Sequence, residues 1–316
     1  MLLPDIKSAD DYRPIYRDPA TWLPAMRAIC QRHGLDETQL EFAPPGTHVI
    51  FRVKPDLYIK LFAPPWRGDF TSERLVLRKL SQRDDLPMPV PLLVAEGEIE
   101  NWPYIIMTAV EGVPLCEVWK SMNMSDRKHI AVRCGEFMAS IHLTDTEGLE
   151  EIAVDWPEFV DNQIKICIDK LRKTEIGKRW MKSVLEFIDD LPPLFEPDFQ
   201  PVLLNSDVTD EHVLVSKRGD RWETTGFIDF GDAMLGHPYY EFAAPVCSIT
   251  RGSKELQRAM LLAYGFSDDQ LSETLSRQLM AYTLIHRFIT IQDLIDIFGS
   301  QRPEDFEELR KRLWSF

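Results

Sequence analysis

Nowhere in the 316 residues does an uncharged apolar run approach the ~20 needed to cross a bilayer, and the opening stretch "MLLPDIKSADDYRPIY" has no basic region followed by an apolar one. A membrane span and a secretory leader are therefore not expected; a soluble, cytoplasmic protein is. Cysteine is scarce. Cys30, Cys116, Cys134, Cys167 and Cys247 are odd in number, scattered and without CxxC spacing, which excludes a disulfide scaffold and reads as thiols in a reducing compartment. Positive charge is also short: 36 Lys and Arg face 51 Asp and Glu, a formal net charge of -15, so no nucleic-acid partner is expected. The acidic balance suits a cationic small substrate and, more simply, solubility. No fixed-period repeat or low-complexity tract is present, so a solenoid is excluded. A GxGxxG phosphate loop is missing as well.

What is there suits one two-lobed domain or two intimate ones: 44% of residues are hydrophobic, enough for a sizeable core at this length. From about 41 to 110 apolar and polar positions alternate. "THVIFRV" and "DLYIKLF" read as strands joined by a turn at Lys54, Pro55 and Asp56. "TSERLVLRKLSQ" then reads as a helix entered at Thr71 and carrying Leu75, Leu77 and Leu80, before "LLVAEG" and "PYIIMTAV" return to strand character. After Gly112 the pattern turns helical: Ile130, Cys134, Phe137 and Ile141 mark one buried helix face, and similar periodicity covers about 157–171, 179–189, 253–264 and 272–298. The exception is 201–230, where "PVLL", "HVLV" and "TTGFIDF" are short strands. The expected division is a β-rich part at 1–110, with an N-terminal helical extension, and a mainly helical part at 111–316, joined by a hinge near 107–113.

Candidate chemistry sits in that exception. In "GFIDFGDA" an apolar run delivers Asp229 to a strand end, where a carboxylate can cap a turn or serve as a magnesium ligand; hard cations need only one or two protein oxygens and leave positions for substrate phosphates. In "NSDVTDEHVLV", Asp207 and His212 bracket a loop between strands. An Asp and a His at this spacing arise about once by chance in such a chain, so the surrounding strand, loop, strand unit carries the weight. If "VLV" pairs with "GFI", then Asp207, His212 and Asp229 converge: Asp207 would orient and deprotonate a hydroxyl, with His212 and Asp229 holding metal.

The segments "NSDVTDEHVLV" and "GFIDFGDAMLGHPYYEFA" resemble the aminoglycoside phosphotransferase family, relatives of choline kinases and distant relatives of protein kinases. The family's catalytic segment reads HGDxxxxN, with IDFGDA or IDWxxA about twenty residues later. Asp207 matches its catalytic Asp, Asp229 its principal metal-binding Asp, and His212 stands where most members carry Asn. Asn205 and Ser206 replace the usual His and Gly, and His237 and Glu241 stand where Asp is usual, so no catalytic role is carried onto either of the last two. The resemblance implies an α+β, protein kinase-like two-lobed fold, with ATP (GTP left open) and magnesium as cofactors. It also implies a Lys on a strand of the small lobe with an acidic partner on the next helix; Lys60 and Glu73 fit, thirteen residues apart. Backbone donors of Gly46, Thr47 and His48 in "APPGTH" would approach phosphate oxygens, and Met107, Thr108, Ala109 and Val110 would supply backbone hydrogen bonds to the purine.

The acceptor expected is a small-molecule hydroxyl, an aminoglycoside or related antibiotic first, with macrolides, amino alcohols and sugars as alternatives. Asp268, Asp269, Asp293 and Asp296 are the acidic candidates for its site, each equally readable as a solvated helix charge. Two other readings stand beside this one. A protein kinase is disfavoured because "IDFGDAMLGHPYYEF" leaves no room for a long activation segment. A nucleotide-binding pseudokinase is suggested by Asn205, Ser206 and His212.

Overall fold

The computed structural model describes residues 2–43, 46–190 and 199–316; Pro44 and Pro45 of the "APPGTH" turn lie outside them. The chain is α+β, with an N-terminal antiparallel sheet and a helical C-terminal part. It divides into two compact units. The first comprises Met1–Asp84, Pro89–Val110 and Ile228–Ala233; the second comprises Asp85–Met88, Glu111–Phe227 and Met234–Phe316. The segment carrying Asp229 thus belongs with the N-terminal residues.

The first unit contains α1 (Ala9–Tyr12), α2 (Pro19–His33), β1 (Leu40–Phe42), β2 (Val49–Val53), β3 (Leu57–Leu61), α3 (Arg67–Leu80), β4 (Leu93–Ile99) and β5 (Trp102–Thr108). Among the described residues its strands form one antiparallel sheet in the order β1-β2-β3-β5-β4. Helix α2 starts where the Asp18 carboxylate accepts from Ala20 N–H with Pro19 behind it, and ends at Gly34 in the left-handed region. Its Trp22, Met26 and Ile29 share a core with Phe51, Ile59 and Leu61. Burying each such side chain contributes ~1.5–3 kcal/mol. Strand alternation then decides the position of Lys60: with Ile59 and Leu61 facing that core, Lys60 projects from the opposite face, yet it is only 1% exposed.

Helix α3 begins four residues before the expected Thr71. The Thr71 hydroxyl donates to the Arg67 carbonyl one turn back, so it sits inside the helix and not at its cap. The buried stripe is Ser72, Glu73, Val76, Leu77 and Leu80, with Leu75 only half-buried; a hydroxyl and a carboxylate head an otherwise apolar face.

The second unit continues with β6 (Val113–Pro114), α4 (Leu115–Val118), α5 (Met124–His142), α6 (Trp156–Arg172), α7 (Glu175–Asp189), β7 (Val202–Leu204), β8 (Val213–Arg218), β9 (Arg221–Phe227), β10 (Met234–Gly236), α8 (Ala243–Ser248), α9 (Lys254–Tyr264), α10 (Glu273–Leu284), α11 (Ile291–Asp296) and α12 (Phe306–Leu313). In α5 the expected face is buried: Ile130, Cys134, Phe137 and Ile141 are each at most 2% exposed. Gly135 lets α9 approach, since a Cβ there would lie 2.2 Å from the Met260 carbonyl oxygen. Strands β6, β8 and β9 form a three-stranded sheet, and β7 pairs with β10.

Two expectations change here. "VLV" pairs with Phe227, Gly226 and, across a register shift, Thr224; Ile228 lies beyond the ladder. The periodicity over 272–298 does not form one helix. It breaks into α10 and α11, with residues 285–290 non-helical between them. The break is held by Lys170, whose ammonium donates to the carbonyls of His286, Arg287 and Ile289.

Candidate active site

In the first unit the ammonium of Lys60 lies 2.7 Å from Glu73 Oε2 and 3.0 Å from Asp229 Oδ1. Burial opposes the Lys60 charge, but the Asp229 and Glu73 carboxylates outweigh it and push its pKa up. Burial, helped by repulsion from the Asp229 carboxylate, pushes the Glu73 carboxyl up to about 7 against the pull of Lys60. Asp229 takes φ 69°, a left-handed value rare for a residue with a Cβ, two residues after the strand ends. Its Oδ1 also accepts from Gly231 N–H at 3.1 Å, so two donors orient one carboxylate. About a third of that side chain remains exposed, at 34%.

Of the expected phosphate turn, Gly46 and Thr47 are exposed and His48 is buried. His48 Nε2 lies 3.1 Å from Asp69 at the start of α3, and its ring packs on Phe62 at 4.5 Å. Burial lowers its pKa. The expected purine edge is partly committed elsewhere: Thr108 N–H donates to Leu92 O, and Ala109 N–H donates to Asp56 O. Those two amides do not serve as purine donors without breaking these bonds, which narrows the Met107–Val110 expectation to the remaining backbone groups.

In the second unit, the loop between β7 and β8 carries Asp207. Ser206 before it holds φ 65°, a conformation that suits glycine and costs a residue with a Cβ ~1–2 kcal/mol. The loop is clamped. Glu241 Oε2 accepts from Asn205 N–H at 3.0 Å and Oε1 from Ser206 N–H at 3.1 Å, while Asp207 N–H donates to Asn205 Oδ1 at 3.0 Å. Behind Glu241, His142 Nε2 stands 3.5 Å away and His142 Nδ1 is 2.8 Å from Tyr264 Oη. His286 Nε2 reaches the Ser206 carbonyl at 3.1 Å.

His212 closes the same loop. Its Nδ1 lies 2.9 Å from the Asp207 carbonyl and 3.2 Å from Thr209 Oγ1, which turns Nδ1 inward and makes Nε2 the nitrogen suited to a metal. Asp210 is anchored by Arg251 at 2.7 Å and by Cys116 N–H on its carbonyl; burial pushes its carboxyl up despite Arg251. A single carboxylate with an orienting donor pair, as at Asp229, suits magnesium, which keeps most of its shell for water and phosphate. Among the described residues no group of three or more His, Cys, Asp or Glu side chains clusters as a metal cage.

The four acidic acceptor candidates are all engaged locally. Asp268 pairs with Arg258, Asp269 bonds Ser267, Asp293 closes a capping box with Thr290, and Asp296 accepts from Gln292 and Arg302. Glu241, His286 and the Asp210–Arg251 pair carry the loop without having been read as functional. Glu241 had a signal in its motif position; His286 lies 80 residues from Ser206 and had none.

The fold recurs in known proteins. The structure is similar to the GDP complex of wild-type aminoglycoside 2'-phosphotransferase-IIIa, with a TM-score of 0.68 at 16% identity over 92% of this chain and 95% of that one. It is similar to the streptomycin–ATP ternary complex of APH(2'')-IIa, with a TM-score of 0.59 at 18% identity over 92% and 93%. It is also similar to aminoglycoside phosphotransferase APH(3'')-Id from Streptomyces rimosus, with a TM-score of 0.54 at 18% identity over 83% and 98%. At these identities the likeness shows the fold. Among curated proteins the sequence is 22% identical to the lysine-specific demethylase JMJ21 of Arabidopsis thaliana over 297 residues, spanning 75% of this chain and about a third, 31%, of that protein's length. No helix among the described residues is long and apolar enough to cross a membrane. The model of the phosphotransferase enzyme family matches residues 46–279, well over half of the sequence, and the chain belongs to that family.

Proposed function

We propose that the protein is an ATP- and magnesium-dependent phosphotransferase acting on a hydroxyl of a small molecule. The observation that carries this reading is Lys60, a buried strand lysine held between Glu73 and Asp229. A cation fixed this way is preorganised for phosphate oxygens, and the carboxylate beside it for the metal that accompanies them. Asp229 and His212 would hold magnesium, which supplies charge neutralisation on the phosphates. Asp207, on its clamped loop, orients the acceptor hydroxyl and accepts its proton. Gly46, Thr47 and His48 contribute to the phosphate end, and the backbone of 107–110 to the base. Complexes of relatives with GDP and ATP support a nucleotide donor and leave GTP open beside ATP.

An aminoglycoside is one acceptor among several. Two of the similar proteins carry aminoglycoside phosphotransferase names and one is complexed with streptomycin, but the acidic side chains that would attract a polycation are each held by a local partner here. Macrolides, amino alcohols and sugars therefore stay on equal footing. The JMJ21 match covers too little of that protein to bring its activity across. Against a pseudokinase stands the bracing of the Asp207 loop, since Asn205 holds the Asp207 amide and Glu241 and His286 hold the backbone of Ser206.

The test is a screen for nucleoside diphosphate release with magnesium and ATP, over aminoglycosides, macrolides, amino alcohols and sugars. Acceptor-dependent release lost in Asp207→Asn is expected. Release that persists unchanged in that variant would remove the assignment.

A further inference from the structure

The stretch that interrupts the expected 272–298 helix passes directly behind the Asp207 loop. Lys170 Nζ donates to the carbonyls of His286 at 3.4 Å, Arg287 at 2.7 Å and Ile289 at 3.1 Å, and Arg287 N–H donates to Tyr240 Oη at 2.9 Å. This strap turns His286 inward, where it is 2% exposed and stacked on Tyr240 at 4.7 Å. Phe288 N–H donates to His286 Nδ1 at 3.4 Å, which leaves Nε2 as the protonated nitrogen and the donor to the Ser206 carbonyl.

Ser206 is the residue in need of support. Its backbone is left-handed at φ 65°, and its hydroxyl is buried with no hydrogen-bond partner among the described residues. The side chain therefore offsets none of the strain. Both ends of the Ser206 backbone are held instead, the N–H by Glu241 and the carbonyl by His286.

We propose that His286 is a positioning residue: with Glu241 it pins Ser206 in its left-handed conformation and so sets the direction of the Asp207 carboxylate that follows. Burial keeps the imidazole neutral, lowering its pKa to about 3, so the pin holds across working pH. A glycine at 206 adopts the same φ without a Cβ penalty and needs less holding. The effect of losing His286 therefore depends on which residue stands at 206.

Four proteins test this: the natural chain, His286→Phe, Ser206→Gly and the double variant. Phenylalanine keeps the stack on Tyr240 and removes the donor. The first readout, amide hydrogen exchange at Asn205, Ser206 and Asp207, needs no substrate. His286→Phe is expected to accelerate it about tenfold, or ~1.4 kcal/mol, in the natural background and less than about twofold in the Ser206→Gly background. The second readout rests on the phosphotransferase reading. His286→Phe should lower kcat about tenfold with nucleotide KM within about twofold, the loss shrinking in the Ser206→Gly background, and His286→Gln, which keeps an N–H donor, should recover most of it. Equal effects in the two backgrounds, or a change confined to nucleotide KM, overturn the proposal. If the natural chain transfers no phosphate, the phosphotransferase reading fails while the exchange measurement still decides the pin.

Discussion

Lys60 Nζ lies 2.7 Å from Glu73 Oε2 and donates to Asp229 Oδ1 across 3.0 Å, so two carboxylates share one buried cation. Removing the cation leaves both acids uncompensated, although Glu73, already raised to about 7, relieves part of the strain by taking up a proton. Lys60→Ala is expected to raise the KM for ATP about tenfold or more, to lower turnover, and to destabilise the fold by less than the ~3–5 kcal/mol of a fully buried broken pair. Glu73→Gln should be milder on both counts. Initial rates across ATP concentrations, with thermal unfolding alongside, measure this. Wild-type rates for Lys60→Ala at every concentration would dismiss the phosphate-holding role.

Asp207→Asn should largely keep the loop, because its Asn205 and Ser206 amides are held by Glu241 and its own amide by Asn205, while its carboxylate lies 3.5 Å from His212 Nδ1. Turnover is expected to drop by ~10²–10⁴-fold, the range of a lost general base, with nucleotide affinity nearly unchanged. Calorimetric nucleotide titration beside steady-state rates separates the two quantities.

His212 presents Nε2 because Nδ1 faces the Asp207 carbonyl. His212→Ala should raise the magnesium concentration needed for half-maximal activity, whereas His212→Asn, carrying an oxygen donor, should stay near the natural value. Manganese should favour the natural protein, since it accepts nitrogen more readily than magnesium does. Superimposable metal-activation curves for all three proteins would reduce His212 to a loop brace.

Acid should weaken the fold before it protonates ordinary carboxylates. Burial lowers His237 to about 4 and His286 to about 3, below the ~6.5 of an unfolded histidine. Below ~6.5 the unfolded chain binds protons that the folded chain refuses, so stability present above that pH drains as pH falls toward the folded values. Each group contributes up to ~1.4 kcal/mol per pH unit within that window, opposed by Glu73, whose carboxyl, raised to about 7, gains a proton in the folded state as pH falls. Denaturant midpoints recorded from pH 7 to pH 5 should fall, with a shallower slope in His286→Phe; a flat profile would contradict neutral burial of both imidazoles.

Much of this architecture was legible because local pattern and tertiary outcome agree. The alternation in "DLYIKLF" gives the strand and puts Lys60 on the face away from Ile59 and Leu61, and the stripe 73, 76, 77, 80 brings Glu73 inward on the next helix. The motif spacing around Asp207 and Asp229 was visible for the same reason. Other features depend on distant groups. The helix break at 285–290 follows from Lys170, more than a hundred residues earlier, and hydrophobic periodicity continues through it. Glu241 was seen but given no role, since only the fold shows its two oxygens on the amides of Asn205 and Ser206. At Thr108 and Ala109 a strand's letters do not reveal which amides the sheet has already claimed.

The membership of Ile228–Ala233 in the first unit has a consequence for synthesis. Asp229 leaves the ribosome 169 residues after its partner Lys60. Until then the Lys60–Glu73 pair is without its second carboxylate. The Lys60–Glu73–Asp229 cluster is therefore complete only after β8 and β9 of the other unit have been made. A ribosome stalled before that point displays Lys60 and Glu73 without Asp229 beside them.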